Sequence, residues 1–169
     1  MKTLEQRACD FATKAHERVK QKRKYTEDPY IVHPMAVAET VRSVPHDEEM
    51  LAAAWLHDTV EDTGVLLKDI EAEFGSGVAS LVEQLTDVSK PGDGDRKARK
   101  EVDRNHTAKA SSRAKTIKLA DLIDNGKSIV KHDAEFAIVY LEEKRLLLEV
   151  LNEGDVTLWW KAHDIVSRK

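Results

Sequence analysis

Two imidazoles and a small group of carboxylates are the residues of this sequence best suited to chemistry. The segment Trp55-Leu56-His57-Asp58-Thr59-Val60-Glu61-Asp62-Thr63 places four ligands or proton carriers within about two helical turns. On a continuous helix His57 lies one turn from Glu61 and Asp58 one turn from Asp62, so the four line two neighbouring stripes. Glu61 and Asp62 would then occupy the last turn, where the helix dipole disfavours carboxylates by a few tenths to ~1 kcal/mol. A bound divalent cation would reverse that penalty. A solvated acidic helix end is the alternative for this segment taken alone.

Two other positions offer matching groups. His33 stands in the otherwise apolar stretch Pro29-Tyr30-Ile31-Val32-His33-Pro34, where a lone histidine can equally serve the core or a helix cap. Asp121 stands among Ile117, Leu119, Ala120, Leu122 and Ile123, and a carboxylate embedded there is costly unless it is paired or bound to a metal. Asp124 and Asn125 continue its face, and a salt bridge to Lys118 or Lys127 is the structural alternative. Together His33, His57, Asp58 and Asp121 form a mixed nitrogen and oxygen set that suits a dication such as Mn²⁺, Fe²⁺ or Zn²⁺. Such a site would acidify a water for attack on phosphorus or polarise a phosphoryl oxygen, with Glu61 or Asp62 orienting the water or moving protons.

The elements that must position these groups read as helices throughout. Apolar residues recur at three-to-four spacing along the chain, and period-two alternation is scarce, so the expected fold class is all-α, a single compact bundle of about eight helices. The expected helices run about Leu4 to Val19, Met35 to Val44, Met50 to Asp62, Leu67 to Phe74, Gly77 to Thr86, Arg113 to Lys131, Ala134 to Leu151 and Val156 to Ser167. Asp47 can cap the third, and Gly64 suits its end. His33 is expected at a helix entrance in extended backbone, because the following Pro34 disfavours the α conformation. Pro91, Gly92 and Gly94 mark the clearest loop, and a charged stretch from Arg96 to Lys109 follows it.

Composition sets the bounds. A chain of 169 residues has room for about one domain, read as residues 1–169. Its net charge of −4 argues against a nucleic-acid partner held by phosphate attraction. The longest apolar runs, Leu51 to Leu56 and Phe136 to Leu141, fall far short of the ~20 residues of a membrane span. Cys9 is the only cysteine, which removes thiolate clusters and internal disulfides and fits a cytoplasmic location. The basic run Lys20, Lys22, Arg23, Lys24 supplies the localised charge that a polyphosphate ligand needs, arginine adding a planar face for a base. Arg96, Lys97, Arg99 and Lys100 form a second run, read as a solvated helix face and left outside the site. No pattern specifies an oligomeric state.

His33, the doublet His57-Asp58 and the late Asp121 reproduce in order the H…HD…D pattern of the HD-domain metal-dependent phosphohydrolases. The local wording PYIVHP, LHDTVEDT, FGSGVASLVEQLTDV and KLADLIDN resembles the hydrolase domain of the RelA/SpoT alarmone enzymes and, with no synthetase domain following, their small stand-alone Mesh1-type relatives. The resemblance spans roughly Leu4 to Leu151. It implies an all-helical, Mn²⁺-dependent hydrolase that removes the 3′-pyrophosphate from guanosine tetra- or pentaphosphate and releases GDP or GTP. It further implies His33, His57, Asp58 and Asp121 as metal ligands, Glu61 and Asp62 as the residues that handle the nucleophilic water, and Arg23, Lys24 and Asn125 as contacts of the nucleotide.

The last motif departs from the family's pattern. Leu122 replaces a basic residue, Asp124 an aromatic or imidazole ring, and Gly126 a large apolar group. These positions neighbour the nucleotide in the resemblance, so an adenosine 3′-pyrophosphate or another 3′-phosphorylated nucleotide is the alternative substrate. A nucleotide sensor without turnover is the reading from a different class.

Overall fold

The computed structural model describes residues 1–168 and is helical throughout, with no β-strand among the described residues. The helices are α1 (Leu4–Arg18), α2 (Val32–Arg42), α3 (Glu48–Leu56), α4 (Thr59–Thr63), α5 (Leu67–Phe74), α6 (Ser76–Leu85), α7 (Arg96–Ala108), α8 (Ser112–His132), α9 (Ala134–Leu148) and α10 (Val156–Val166), with a single 3₁₀ turn at Pro91–Asp93. They form two compact units, Met1–Thr86 and Asp87–Lys169. None of the helices is long and apolar enough to cross a membrane.

The first unit is organised around α3, which packs against α1, α2 and α6. Every α3 residue from Met50 to Leu56 is buried, and the three consecutive alanines Ala52, Ala53 and Ala54 let neighbouring helices approach on all sides. Asp47 caps the helix as expected, accepting from the Met50 amide at 2.9 Å. Glu5 of α1 fastens the group, accepting from Arg42 of α2 and from the Trp55 indole of α3. Phe11 and Phe74 meet edge to face, 5.4 Å between centroids, to seat α5.

Three local expectations are corrected. The helix expected from Met50 to Asp62 is broken: α3 stops at Leu56, and α4 restarts after Asp58. The Thr59 hydroxyl donates to the Leu56 carbonyl and caps the break from within. The chain stays near the helical path, since the Asp62 amide still donates to the Asp58 carbonyl at 3.0 Å. Glu61 and Asp62 therefore belong to a helix of five residues, and the expected penalty from a long dipole does not arise. His33 lies inside α2 and not in extended backbone ahead of it. Pro34 is tolerated there because its missing N–H falls in the first turn, whose amides have no intrahelical acceptor.

The charged stretch Arg96 to Lys109, which had no clear apolar face to announce it, is also a helix, α7, opened by Asp95 accepting from the Ala98 amide at 2.9 Å. In the second unit α8 packs against α9 and α10. Trp159 donates its indole N–H to the Leu148 carbonyl, while Trp160 is 56% exposed. Gly126 has a packing reason, because a Cβ there would stand 2.8 Å from Ile165 Cγ2 on α10. Gly126→Leu, which restores the bulk expected at this position, should cost about 1–3 kcal/mol through overpacking. A urea midpoint equal to that of the parent protein would contradict this account of the α8–α10 contact.

Candidate metal centre

The groups of the first unit are brought to one point by the break after α3 and the loop before α2. The loop is fastened to the end of α1, with the Gln21 amide donating to the His16 carbonyl and the Tyr30 amide to the Gln21 carbonyl, each at 3.1 Å. Inside it the Arg23 amide donates to the Asp28 carbonyl at 2.8 Å, and Lys20 and Glu27 hold positive φ values of 54° and 61°. Left-handed backbone at two residues with side chains is a cost the loop's hydrogen bonds must sustain. The result places half-buried Arg23 and exposed Lys24 on the outgoing arm and returns Tyr30 and His33 to the interior.

At that point His33 and His57 are 1% and 3% exposed, their rings 5.3 Å apart. Asp58 Oδ2 lies 3.1 Å from His57 Nε2 and 3.7 Å from His33 Nε2. The same oxygen accepts from the Tyr30 hydroxyl at 2.6 Å. His57 Nδ1 sits 2.6 Å from the Ala54 carbonyl oxygen, which can only accept, so Nδ1 carries a hydrogen and a neutral His57 presents its Nε2 lone pair inward. A lone pair and a carboxylate oxygen thus face each other at hydrogen-bond distance in a buried site. That arrangement requires a cation, a metal or a proton, between them. The donor set, two imidazole nitrogens and a carboxylate with their ligand atoms within 4.8 Å of one another, fits a divalent transition metal.

Beside it runs a second hydrogen-bonded chain. The Gln21 amide donates to Asp62 Oδ2 at 3.1 Å and turns its carbonyl oxygen toward His16 Nδ1 at 2.8 Å. His16 is 2% exposed and packs its ring 4.8 Å from that of Tyr30, and its Nε2 has no hydrogen-bond partner among the described residues. Burial holds its pKa below the ordinary histidine value, against the raising influence of Gln21 and of the Asp58 and Asp62 charges. Asp62 keeps contact with solvent, yet crowding by protein atoms raises its carboxyl pKa, and the Asp58 charge acts in the same direction. Glu61, on the same short helix, is exposed.

Tyr30, His16 and Gln21 are the members that sequence reasoning did not assign. Tyr30 lies within the quoted PYIVHP segment, but a tyrosine among apolar residues gives no sign that its hydroxyl meets a carboxylate. His16 and Gln21 straddle the end of α1, where helical periodicity stops being informative.

Asp121 belongs to the second unit, in the middle of α8, and is 8% exposed. Its carboxylate accepts from the Asn125 amide at 3.0 Å and lies 3.4 Å from Lys118 Nζ. The salt bridge weighed as its structural alternative is therefore present. Of the departures in the last motif, Leu122 is buried and Asp124 is half-buried.

Comparison with known proteins gives these features a context. The family model described as HD domain matches residues 8–144. A guanosine-3′,5′-bis(diphosphate) 3′-pyrophosphohydrolase MESH1 of Xenopus tropicalis is 40% identical over 125 residues, covering 70% of this chain and 65% of that protein. A guanosine-3′,5′-bis(diphosphate) 3′-pyrophosphohydrolase of Aquifex aeolicus is 37% identical over 145 residues, covering 83% of this chain and 18% of that protein. The chain thus spans less than two thirds of the length of either curated relative. A solved structure described as a metazoan ortholog of SpoT that hydrolyses ppGpp matches with a TM-score of 0.86 and 31% identity, over 98% of this chain and 94% of that one.

The lowered pKa of His16 sets the sign of a pH effect. A buried neutral histidine takes up its proton on unfolding, so its contribution is intact above its ordinary value of 6.5 and is lost as pH falls below it. With metal chelated, His16→Asn should lose less stability than the parent between about pH 6.5 and 5. Parallel curves of urea midpoint against pH would contradict the buried neutral state.

Proposed function

The chain belongs to the HD-domain family, and from that premise we propose that it is a metal-dependent hydrolase that removes the 3′-pyrophosphate from guanosine tetra- or pentaphosphate, giving GDP or GTP and pyrophosphate. The observation that carries this reading is the buried meeting of His57 Nε2 and His33 Nε2 with Asp58 Oδ2, a donor arrangement that calls for a cation. The names of the pyrophosphohydrolase relatives and of the ppGpp-hydrolysing structural neighbour support the substrate.

His33, His57 and Asp58 would hold the metal, with Asp121 as the fourth ligand by its place in the KLAD motif, and Mn²⁺ is the metal the resemblance favours. Once bound, the metal supplies positive charge that acidifies a water and polarises a phosphoryl oxygen. The other steps belong to the chain. Asp62, made more basic than an ordinary aspartate by crowding and by Asp58, takes the proton from the attacking water while Gln21 holds its carboxylate in place. Glu61 orients that water. The water oxygen forms the new bond to phosphorus, the bond from phosphorus to the ribose 3′-oxygen breaks, and that oxygen regains a proton. Tyr30 holds Asp58 through its hydroxyl and restricts the rotation of the carboxylate. Arg23 and Lys24, on the outgoing arm of the fastened loop, receive the base and phosphates, and Asn125 adds a contact from α8. This reading places the enzyme in the cytoplasm, in keeping with the unpaired Cys9.

The test is pyrophosphate release from guanosine tetraphosphate and, separately, from the adenosine 3′-pyrophosphate analogue, with Mn²⁺ and with a chelator. Release should require metal. Asp58→Ala should abolish it, and Glu61→Gln should lose turnover with metal retained. Arg23→Ala should raise KM more than it lowers kcat. Metal-dependent release from the adenosine compound alone would shift the substrate and leave the reaction standing. Nucleotide binding without release from either compound would replace the hydrolase with a sensor, and full activity of Asp58→Ala would refute the ligand assignment.

A further inference from the structure

In the second unit residues of α7, α8 and α9 line a small, partly open cavity of about 50 Å³. One water needs roughly 10–15 Å³ on this measure, so the space takes a few waters or one phosphoryl-sized group. Its walls carry four cations, Lys100 and Arg104 from α7, Lys118 from α8 and Lys144 from α9. Three carboxylates also line it, and two of these are already committed. Asp103 accepts from the Val88 and Ser89 amides at 2.9 and 2.8 Å and from the Ser89 hydroxyl at 2.7 Å. Glu143 is gripped by the Arg96 guanidinium fork at 2.8 and 2.9 Å. Asp87 is the third.

Among the described residues Lys100, Arg104 and Lys144 make no hydrogen bond or ion pair; Lys144 Nζ is only stacked 4.9 Å from the Tyr140 ring centre. The four cations repel one another, and the three carboxylates, which keep their charge, offset them only in part, Glu143 acting on both Lys100 and Lys144. Lys144 registers the strain. Enclosure of its ammonium lowers its pKa from the ordinary lysine value to about 8, and repulsion from Lys118 adds to this. Sequence patterning alone makes the α7 cations a solvated face, and Lys97 and Arg99 are indeed exposed; Lys100 and Arg104 are drawn to the cavity.

We propose that this cavity is a binding site for a phosphoryl anion, held by Lys100, Arg104 and Lys144. A guanidinium and two ammonium-bearing side chains lining one small space match the charge and the acceptor-only oxygens of phosphate. Lys118 connects the site to Asp121, since it lines the cavity while its Nζ stays 3.4 Å from the Asp121 carboxylate. The anion is either free phosphate or pyrophosphate, or a phosphate group of a bound nucleotide. The site stands on its own geometry and does not depend on the hydrolase reading.

The direct test uses inorganic pyrophosphate as the probe, titrated at constant ionic strength with metal chelated, and follows the melting temperature of the parent protein, Arg104→Gln and Lys144→Met. The parent should show a saturable rise. Both variants should fold, and both should need at least tenfold more pyrophosphate for the same shift. No saturable rise in the parent, or equal titrations in all three proteins, would overturn the proposal. Steady-state hydrolysis then separates the sources. A KM for nucleotide raised in Arg104→Gln at unchanged kcat assigns the site to the nucleotide's own phosphate, and an unchanged KM assigns it to the free anion. Absence of hydrolysis would remove the proposed function while leaving the binding result to stand or fall by itself.

Discussion

A carboxylate oxygen that faces two imidazole nitrogens in a buried pocket is the constraint on which the first unit depends. Asp58 Oδ2 cannot sit 3.1 Å from a lone pair on His57 Nε2 without a positive charge to share. The Ala54 carbonyl closes the alternative, because it claims the His57 Nδ1 hydrogen and fixes which nitrogen looks inward. Both the tautomer and the ring orientation are therefore set by the backbone of α3 before any ligand arrives.

The rest of that unit serves this arrangement. An alanine-rich α3 can be surrounded on every side, which buries His57 at its end. The break between α3 and α4 turns Asp58 toward His33, and the loop fastened to α1 brings His33 and Tyr30 back to meet it. The same loop carries Arg23 and Lys24 outward, so one stretch of backbone presents both the interior ligand and the exterior charges. Gln21, at the root of the loop, connects His16 to Asp62 and ties the proposed base to the end of α1.

Much of this was legible in the sequence, and the rest was hidden for definable reasons. The helical class followed from periodicity, and His33, His57 and Asp58 stood out by residue type and by the H…HD order that carries the family resemblance. The break after Leu56 was not legible, since Thr59 and Val60 interrupt no pattern and the stop comes from a threonine hydroxyl satisfying the Leu56 carbonyl. Helix α7 was legible only as a solvated helix face without bounds, because a stretch dominated by arginine and lysine shows no apolar stripe, although Asp95 offered a cap. Tyr30 escaped because its role lies in one hydroxyl and its ring reads as core. Gly126 was expected to bear on the nucleotide, whereas the space it leaves is filled by Ile165.

The account as a whole rests on the claim that His33, His57 and Asp58 hold a metal. The most direct measurement is electron spin echo spectroscopy of the protein loaded with Mn²⁺, together with metal stoichiometry by equilibrium dialysis. One Mn²⁺ per chain, with nitrogen couplings from two imidazoles that fall to one in His57→Ala, is the predicted result. Binding without nitrogen coupling, or no binding at all, would mean that the charge between Asp58 and His57 is a proton and would contradict the metal centre.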